Sequence, residues 1–248
     1  AGEDQGQPVV ARGGVRPGEL GELGPIIRLA AQYVQAASPG HTPAVLPNYL
    51  GLTVGGTLSI GGIGVASLRH GAQIDHVLEL EVVTGKGDRI CCSERREPEL
   101  FEAALAGQGQ SGIITRAVLR LVEAKPRVRE YMLRYPDLPA LLRDLALLLQ
   151  DDRADGAVAL VAPSPQGWMY ILSLIRQFTP PDAPDDTALT AGLHAIEGTR
   201  QQRDLGYAEY MDTYPEFPFG LSQASLGLFI PGSAAESSPC PMRGDGAF

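Results

Sequence analysis

Residues 52–64 read LTVGGTLSIGGIG: five glycines in thirteen positions, hydroxyls at Thr53, Thr57 and Ser59, and no charge. Glycine loses more conformational freedom on folding than any other residue, so a cluster of it marks a place where the backbone bends sharply or lies directly against something else. A fold for this chain has to supply one of two things. Either the stretch is a tight turn between core strands, or it is a wall that a ligand approaches along bare backbone. It fits neither common phosphate loop: G-x-x-x-x-G-K-[ST] is missing, and no G-x-G-x-x-G leads into a helix with an acidic residue about 20 positions on. Adjacent glycines can nonetheless aim successive N–H groups at one anion, with small hydroxyls as further donors, and such a wall needs no charge of its own.

Charge narrows the partners. The 248 residues carry a formal net charge of −9 with no basic stripe, which excludes nucleic acid held by phosphate neutralisation and disfavours an anionic membrane surface. No apolar run reaches the roughly 18 residues of a membrane span. The opening AGEDQGQPVV has neither a basic nor an apolar signal region, so the expected location is cytoplasmic. Cys91, Cys92 and Cys240 make no disulfide framework, and with His41, His70, His76 and His194 dispersed no metal site is expected. No serine sits in a G-x-S-x-G elbow.

Periodicity then divides the chain. PVVARGGV reads as a short strand, and LGPIIRLAAQYVQAA as a helix that SPGHTP ends. VLELEVVTGKGDRICC reads as a hairpin turning at Thr84–Gly87, which places Lys86 in the turn. Ser93 introduces a short helix over ERREPELFEAALAG, and GIITRAVLRLVEA is one β-branched strand. Beyond Pro126 the order strand, helix, strand, strand, helix predicts an antiparallel sheet with helices on one face. Trp168, Tyr170 and Phe178 alternate along one of those strands and are expected to pack inward. Tyr207, Tyr210 and Tyr214 recur at helical spacing, and burial is expected there too.

Three ordered stretches carry more than composition. PNYLGLTVGGTLSIGGIG, RHGAQIDHVLELEVVTGKGD and GQGQSGIITRAVLRLVEAKPRVR resemble the cytokinin dehydrogenase branch of the vanillyl-alcohol-oxidase (PCMH-type) flavoproteins. The likeness is dense from about Pro47 to Arg129 and thinner to about residue 230. It implies an α+β fold: residues 1–125 as the second subdomain of a PCMH-type FAD-binding domain, 126–230 as an antiparallel-sheet, ferredoxin-like substrate cap, and 231–248 as an irregular tail. It implies FAD as cofactor, held by Thr53, Gly55, Gly56, Ser59, Gly62, Ile63 and Ile114. It also implies a small-molecule substrate: a secondary amine of the N6-substituted adenine type, which loses hydride to flavin N5. From the residues alone, His70 fits a flavin-facing role less well than the role of partner to buried backbone groups.

The departures from that family pattern matter as much. No GRGHS-like loop with a flavin-linking histidine is present, and the resemblance stops near GLFIPGSAAE. Asn48 stands where the family has the aspartate that takes the amine proton, and an amide cannot serve as a general base. Ser111 stands where an aromatic is usual. These departures leave a rival expectation: a non-catalytic flavin- or ligand-binding relic, self-associating through the face where the other subdomain would pack.

Overall fold

The computed structural model describes residues 9–11, 40–47, 52–164 and 167–213. The expected helix near residues 23–37, Asn48, Tyr214, Cys240 and the tail at 231–248 lie outside the described residues. The described residues all fall within one compact unit.

Two four-stranded antiparallel sheets and one two-stranded ladder organise the described chain. The strands are β1 (Val9–Ala11), β2 (His41–Pro43), β3 (Val77–Val83), β4 (Arg89–Cys92), β5 (Ile113–Leu119), β6 (Leu121–Glu123), β7 (Arg127–Tyr135), β8 (Gly156–Ser164), β9 (Gly167–Phe178) and β10 (Gln201–Gly206). The first sheet runs β1-β5-β3-β4, the second β10-β7-β9-β8, and β2 pairs with β6. The helices are α1 (Val54–Leu58), α2 (Ser67–His70), α3 (Pro98–Ala104), α4 (Leu138–Gln150), α5 (Asp186–Thr190) and α6 (Tyr207–Thr213), with a 3₁₀ turn at Gln73–His76. The α+β class and the antiparallel second sheet are as the sequence predicts.

In the first sheet the β3–β4 hairpin closes as expected: the Thr84 N–H donates to the Asp88 carbonyl at 3.0 Å, and Gly87 takes φ +86°. Leu80, Val82 and Cys92 point into a core shared with Leu58, Phe101 and Leu119. Two boundaries differ from the sequence reading. The helix does not follow Ser93, which pairs with Arg96 instead; it starts at Pro98, whose missing N–H suits a first turn. The strand over 113–123 is two strands, because the Arg120 N–H turns aside to the His76 carbonyl at 2.8 Å and β6 joins a different ladder. His41–Pro43, read as a helix terminator, is the partner strand in that ladder.

The second sheet is built on a nine-residue β7–β9 register and an equally long β8–β9 pairing. One face is covered by α4, whose Asp137 cap accepts the Ala140 N–H at 2.8 Å and whose Leu141 and Leu148 meet Tyr131, Leu133, Leu172 and Leu174. The other face gathers Val128, Ile175 and Leu205 with Leu46, Tyr207, Tyr210 and Met211. Tyr207 and Tyr210 are therefore buried as expected, but α6 lies on the opposite face from α4, so helices occupy both faces. The helix predicted over 185–196 is only α5, ended before Gly192 at φ +72°. β10 was not foreseen, since QQRDLG has no strand alternation. Phe178 is buried and Tyr170 half-buried, but Trp168, paired with Pro163, sits at the turn end of the β8–β9 hairpin with 64% of its surface exposed.

Candidate functional site

The glycine stretch is neither a strand-to-strand turn nor an extended wall: it is a short helix followed by an open bend. Thr53 caps α1, its Oγ1 accepting the Gly56 N–H at 3.1 Å. The Ser59 hydroxyl donates to the Gly55 carbonyl at 2.8 Å, and the Thr57 hydroxyl donates to the Val54 carbonyl at 3.0 Å. The hydroxyls expected to face a ligand thus already hold the chain's own backbone.

The glycines are where other backbone comes too close for a side chain. A Cβ at Gly55 would lie 2.6 Å from the Ile114 carbonyl oxygen, which seats α1 directly on β5. A Cβ at Gly64 would lie 1.8 Å from the Leu46 carbonyl oxygen, so the bend ends pressed on the segment that leads toward Asn48. Between them Gly62, at φ +71°, backs onto Gln73, whose N–H donates to the Gly62 carbonyl at 2.7 Å. Gln73 is buried, and its Oε1 has no hydrogen-bond partner although a Cβ on Gly62 would come within 2.5 Å of it. With its back fixed in this way, the segment turns apolar side chains outward: Ile60 is 68% exposed, Ile63 66% and, on the adjoining β5, Ile113 70%.

Of the predicted residues, the structure brings Gly55 and Ile114 into contact and sets Thr53, Gly56 and Ser59 on the same short helix. Gly62 and Ile63 follow in the bend, and Asn48 lies outside the described residues. Gln73 was not singled out from the sequence; one buried amide in AQID has no periodic signature.

Arg69 and His70 take different parts. Arg69 reaches the second sheet, donating to Asp155 at 2.6 Å and to the Asp152 carboxylate. The His70 carbonyl accepts from His76 Nε2 at 2.7 Å, so His76 pairs with backbone rather than with Asp75. Asp75 caps the Ala72 N–H at 2.7 Å. Burial, with His76 and Arg69 nearby, pushes the His70 imidazole below its ordinary value despite Asp155. His70 borders a cleft of about 320 Å³ whose wall includes Leu46, Val65, Ile175, Tyr207 and Tyr210. In that wall the Tyr207 phenol, pushed up to about 12 by burial, donates to Thr42 Oγ1 at 2.8 Å. A larger cleft of about 540 Å³ is lined by Lys125, Arg153, Phe178 and Asp182 and touches no residue of the glycine segment. Ser111 spends its hydroxyl on the Ala103 carbonyl at 3.0 Å. Cys91 and Cys92 are free thiols, and no group of metal-ligating side chains occurs among the described residues.

An uncharged, rigidly backed bend with an apolar outer face fits a flat aromatic cofactor better than a free phosphate. Comparison with known proteins bears on which one. No protein-family model matches the chain. It is 40% identical over 173 residues to an uncharacterised oxidoreductase of the fasciation locus of Rhodococcoides fascians, covering 69% of this chain and 40% of that protein. It is 52% identical over 110 residues to cytokinin dehydrogenase 6 of Oryza sativa subsp. japonica, covering 44% of this chain and 21% of that one. Among solved structures, glucooligosaccharide oxidase from Acremonium strictum, described with a cysteinyl- and histidyl-linked FAD, superposes with a TM-score of 0.59 over 75% of this chain and 40% of that chain at 17% identity, a likeness of fold alone. The chain spans 40% or less of each of these proteins.

Proposed function

Since the chain belongs, over the stretch it spans, to the cytokinin dehydrogenase-like flavoproteins of the vanillyl-alcohol-oxidase type, we propose that it is the FAD- and substrate-facing portion of an FAD-dependent oxidoreductase acting on a small secondary amine of the N6-substituted adenine type. The observation that carries this reading is the glycine segment: backbone fixed from behind at Gly55, Gly62 and Gly64, with Ile60, Ile63 and Ile113 left facing outward. The cofactor would lie along Thr53–Gly56, Ser59, Gly62–Ile63 and Ile114. Bound there, FAD supplies the two-electron acceptor for hydride from the carbon beside the amine nitrogen.

The chain's own part is binding, orientation and exclusion of water. Isoleucines 60, 63 and 113 supply apolar area for a flat ring, and Gly61 leaves open space beside it, since nothing lies within 4 Å of where its Cβ would be. Asn48 would orient the amine through its carbonyl oxygen without accepting a proton. The test is turnover of secondary amines by the FAD-loaded chain with an artificial electron acceptor. Slow turnover that Asn48→Asp raises by about 10²–10⁴-fold supports the reading.

Asn48 also favours a second reading, flavin binding without turnover. Under it the Asn48→Asp chain binds FAD and still oxidises no amine. An inability of either chain to bind FAD contradicts both readings.

A further inference from the structure

Residues 61–76 close on themselves. Gln73 and Ile74 N–H groups donate to the Gly62 and Gly61 carbonyls at 2.7 and 3.2 Å, Gly64 N–H donates to Ser67 Oγ at 3.0 Å, and His76 Nε2 holds the His70 carbonyl at 2.7 Å. These bonds join the Gly61–Ile63 bend to the rest of the loop. Its bonds to the second sheet come from two places. The Val65 carbonyl accepts the Ala157 N–H at 3.0 Å, beside Gly156, where a Cβ would be 2.7 Å from that same oxygen. The Arg69 guanidinium donates through NH1 to Asp155 Oδ1 at 2.6 Å, and through NH2 to the Asp152 carboxylate and to the Asp152 carbonyl at 3.1 Å.

The receiving end is firm. Asp155 has a side chain only 13% exposed, its Oδ2 accepts the Gln177 N–H at 2.6 Å, and Arg176 NH1 lies 3.3 Å from Oδ1. A forked guanidinium can hold two carboxylates and a carbonyl at once, which an ammonium cannot do in fixed geometry. Resting on the reading that FAD lies on the glycine segment, we propose that Arg69 is a positioning residue: it ties the 61–76 loop to the second sheet and so fixes the bend against which the cofactor lies. Arg69 touches neither cofactor nor substrate. It acts through the loop, and it couples any movement of β8 to the geometry of Gly61–Ile63.

The experiment compares the full chain with Arg69→Gln, Arg69→Lys and, as a control elsewhere in the second sheet, Arg129→Gln. Three quantities are read for each: the FAD dissociation constant from quenching of flavin fluorescence, the thermal midpoint without FAD, and amide hydrogen exchange over residues 61–70. Arg69→Gln is expected to weaken FAD by about tenfold and to speed exchange over 61–70 while β3 and β5 keep theirs. Arg69→Lys recovers part of the affinity. Arg129→Gln lowers the midpoint and leaves FAD affinity at the wild-type value. The proposal is overturned if Arg69→Gln binds FAD as wild type does, or if Arg129→Gln weakens FAD equally, which would make the effect one of general stability. A wild-type chain that binds no FAD overturns the functional reading and, with it, the cofactor role of Arg69. It is told apart from failure of the clamp by exchange over 61–70, which Arg69→Gln leaves unchanged only if the clamp itself is absent.

Discussion

The glycine segment and the second sheet solve opposite problems. Around residues 53–64 the contacts that decide the conformation are backbone on backbone, as where Gly55 meets Ile114 and Gly64 meets Leu46, and the side chains that remain turn outward. In the second sheet the decision is made by side chains: Tyr131, Leu141, Leu172 and Leu174 fill one face, and Arg129 gathers Asp186 and Asp204 at 2.8 and 2.6 Å. A region shaped by the absence of side chains keeps a surface free for a ligand. A region shaped by their presence spends its surface on itself.

The contrast breaks most visibly at Gly64. Gly64→Ala puts a methyl where the Leu46 carbonyl oxygen lies, so the chain should lose about 4 kcal/mol or more and come out insoluble, whereas Gly85→Ala, with nothing within 4 Å, should stay within about 0.5 kcal/mol by urea unfolding. A soluble Gly64→Ala of wild-type stability would mean that the close approach is not real. Next comes the side-chain region: Leu172→Ala, at a fully buried position, should cost about 2–5 kcal/mol in the same assay and leave FAD binding intact in whatever fraction folds.

The two regions should also differ in acid. Hydrogen bonds from Arg129 hold the Asp204 carboxyl below its ordinary value. Burial alone would raise Asp186, but donors from Tyr131, Arg129 and Gln202 outweigh it and hold that carboxyl down as well. Groups depressed in the fold contribute stability that is complete above the unfolded carboxyl value of about 3.9 and is lost as pH falls through their lower folded values. Arg129→Met should therefore cost on the order of 2 kcal/mol at neutral pH, tempered by the partial exposure of Asp204, with the gap to wild type narrowing below about pH 4. Thermal midpoints at several pH values check this, and a gap that widens in acid would reverse the sign. The smallest effect belongs to the cap: Thr53→Ala leaves the Gly56 N–H without its acceptor and should cost about 1 kcal/mol, read in the urea midpoint.

Legibility follows the same division. The β3–β4 hairpin, α4 and the strands β7, β8 and β9 could be read from the sequence because alternation and helical period are side-chain signals, and side chains decide those elements. The break at Arg120 and the start of α3 at Pro98 could not, since each turns on one backbone N–H or one missing N–H. β10 stayed hidden because its polar residues pair through backbone and through Arg129–Asp204 rather than by packing alternate faces. At the candidate site, composition singled out thirteen residues as a place of close backbone approach but not their form, a short helix followed by a bend. Glycine content gives the closeness of approach without saying what approaches, and here Ile114, Gln73 and Leu46 of the chain itself occupy that space. Arg69 is legible as a residue beside His70, while its reach to Asp155 spans 86 positions that no local pattern records.

The central claim is that the open side of this bend holds FAD. It is tested most directly by the visible absorption spectrum of the purified chain after incubation with excess FAD and exhaustive dialysis. A flavin band retained in the blue region, and lost in an Ile63→Asp chain of unchanged thermal midpoint, is the result this account predicts. A colourless wild-type chain would contradict it.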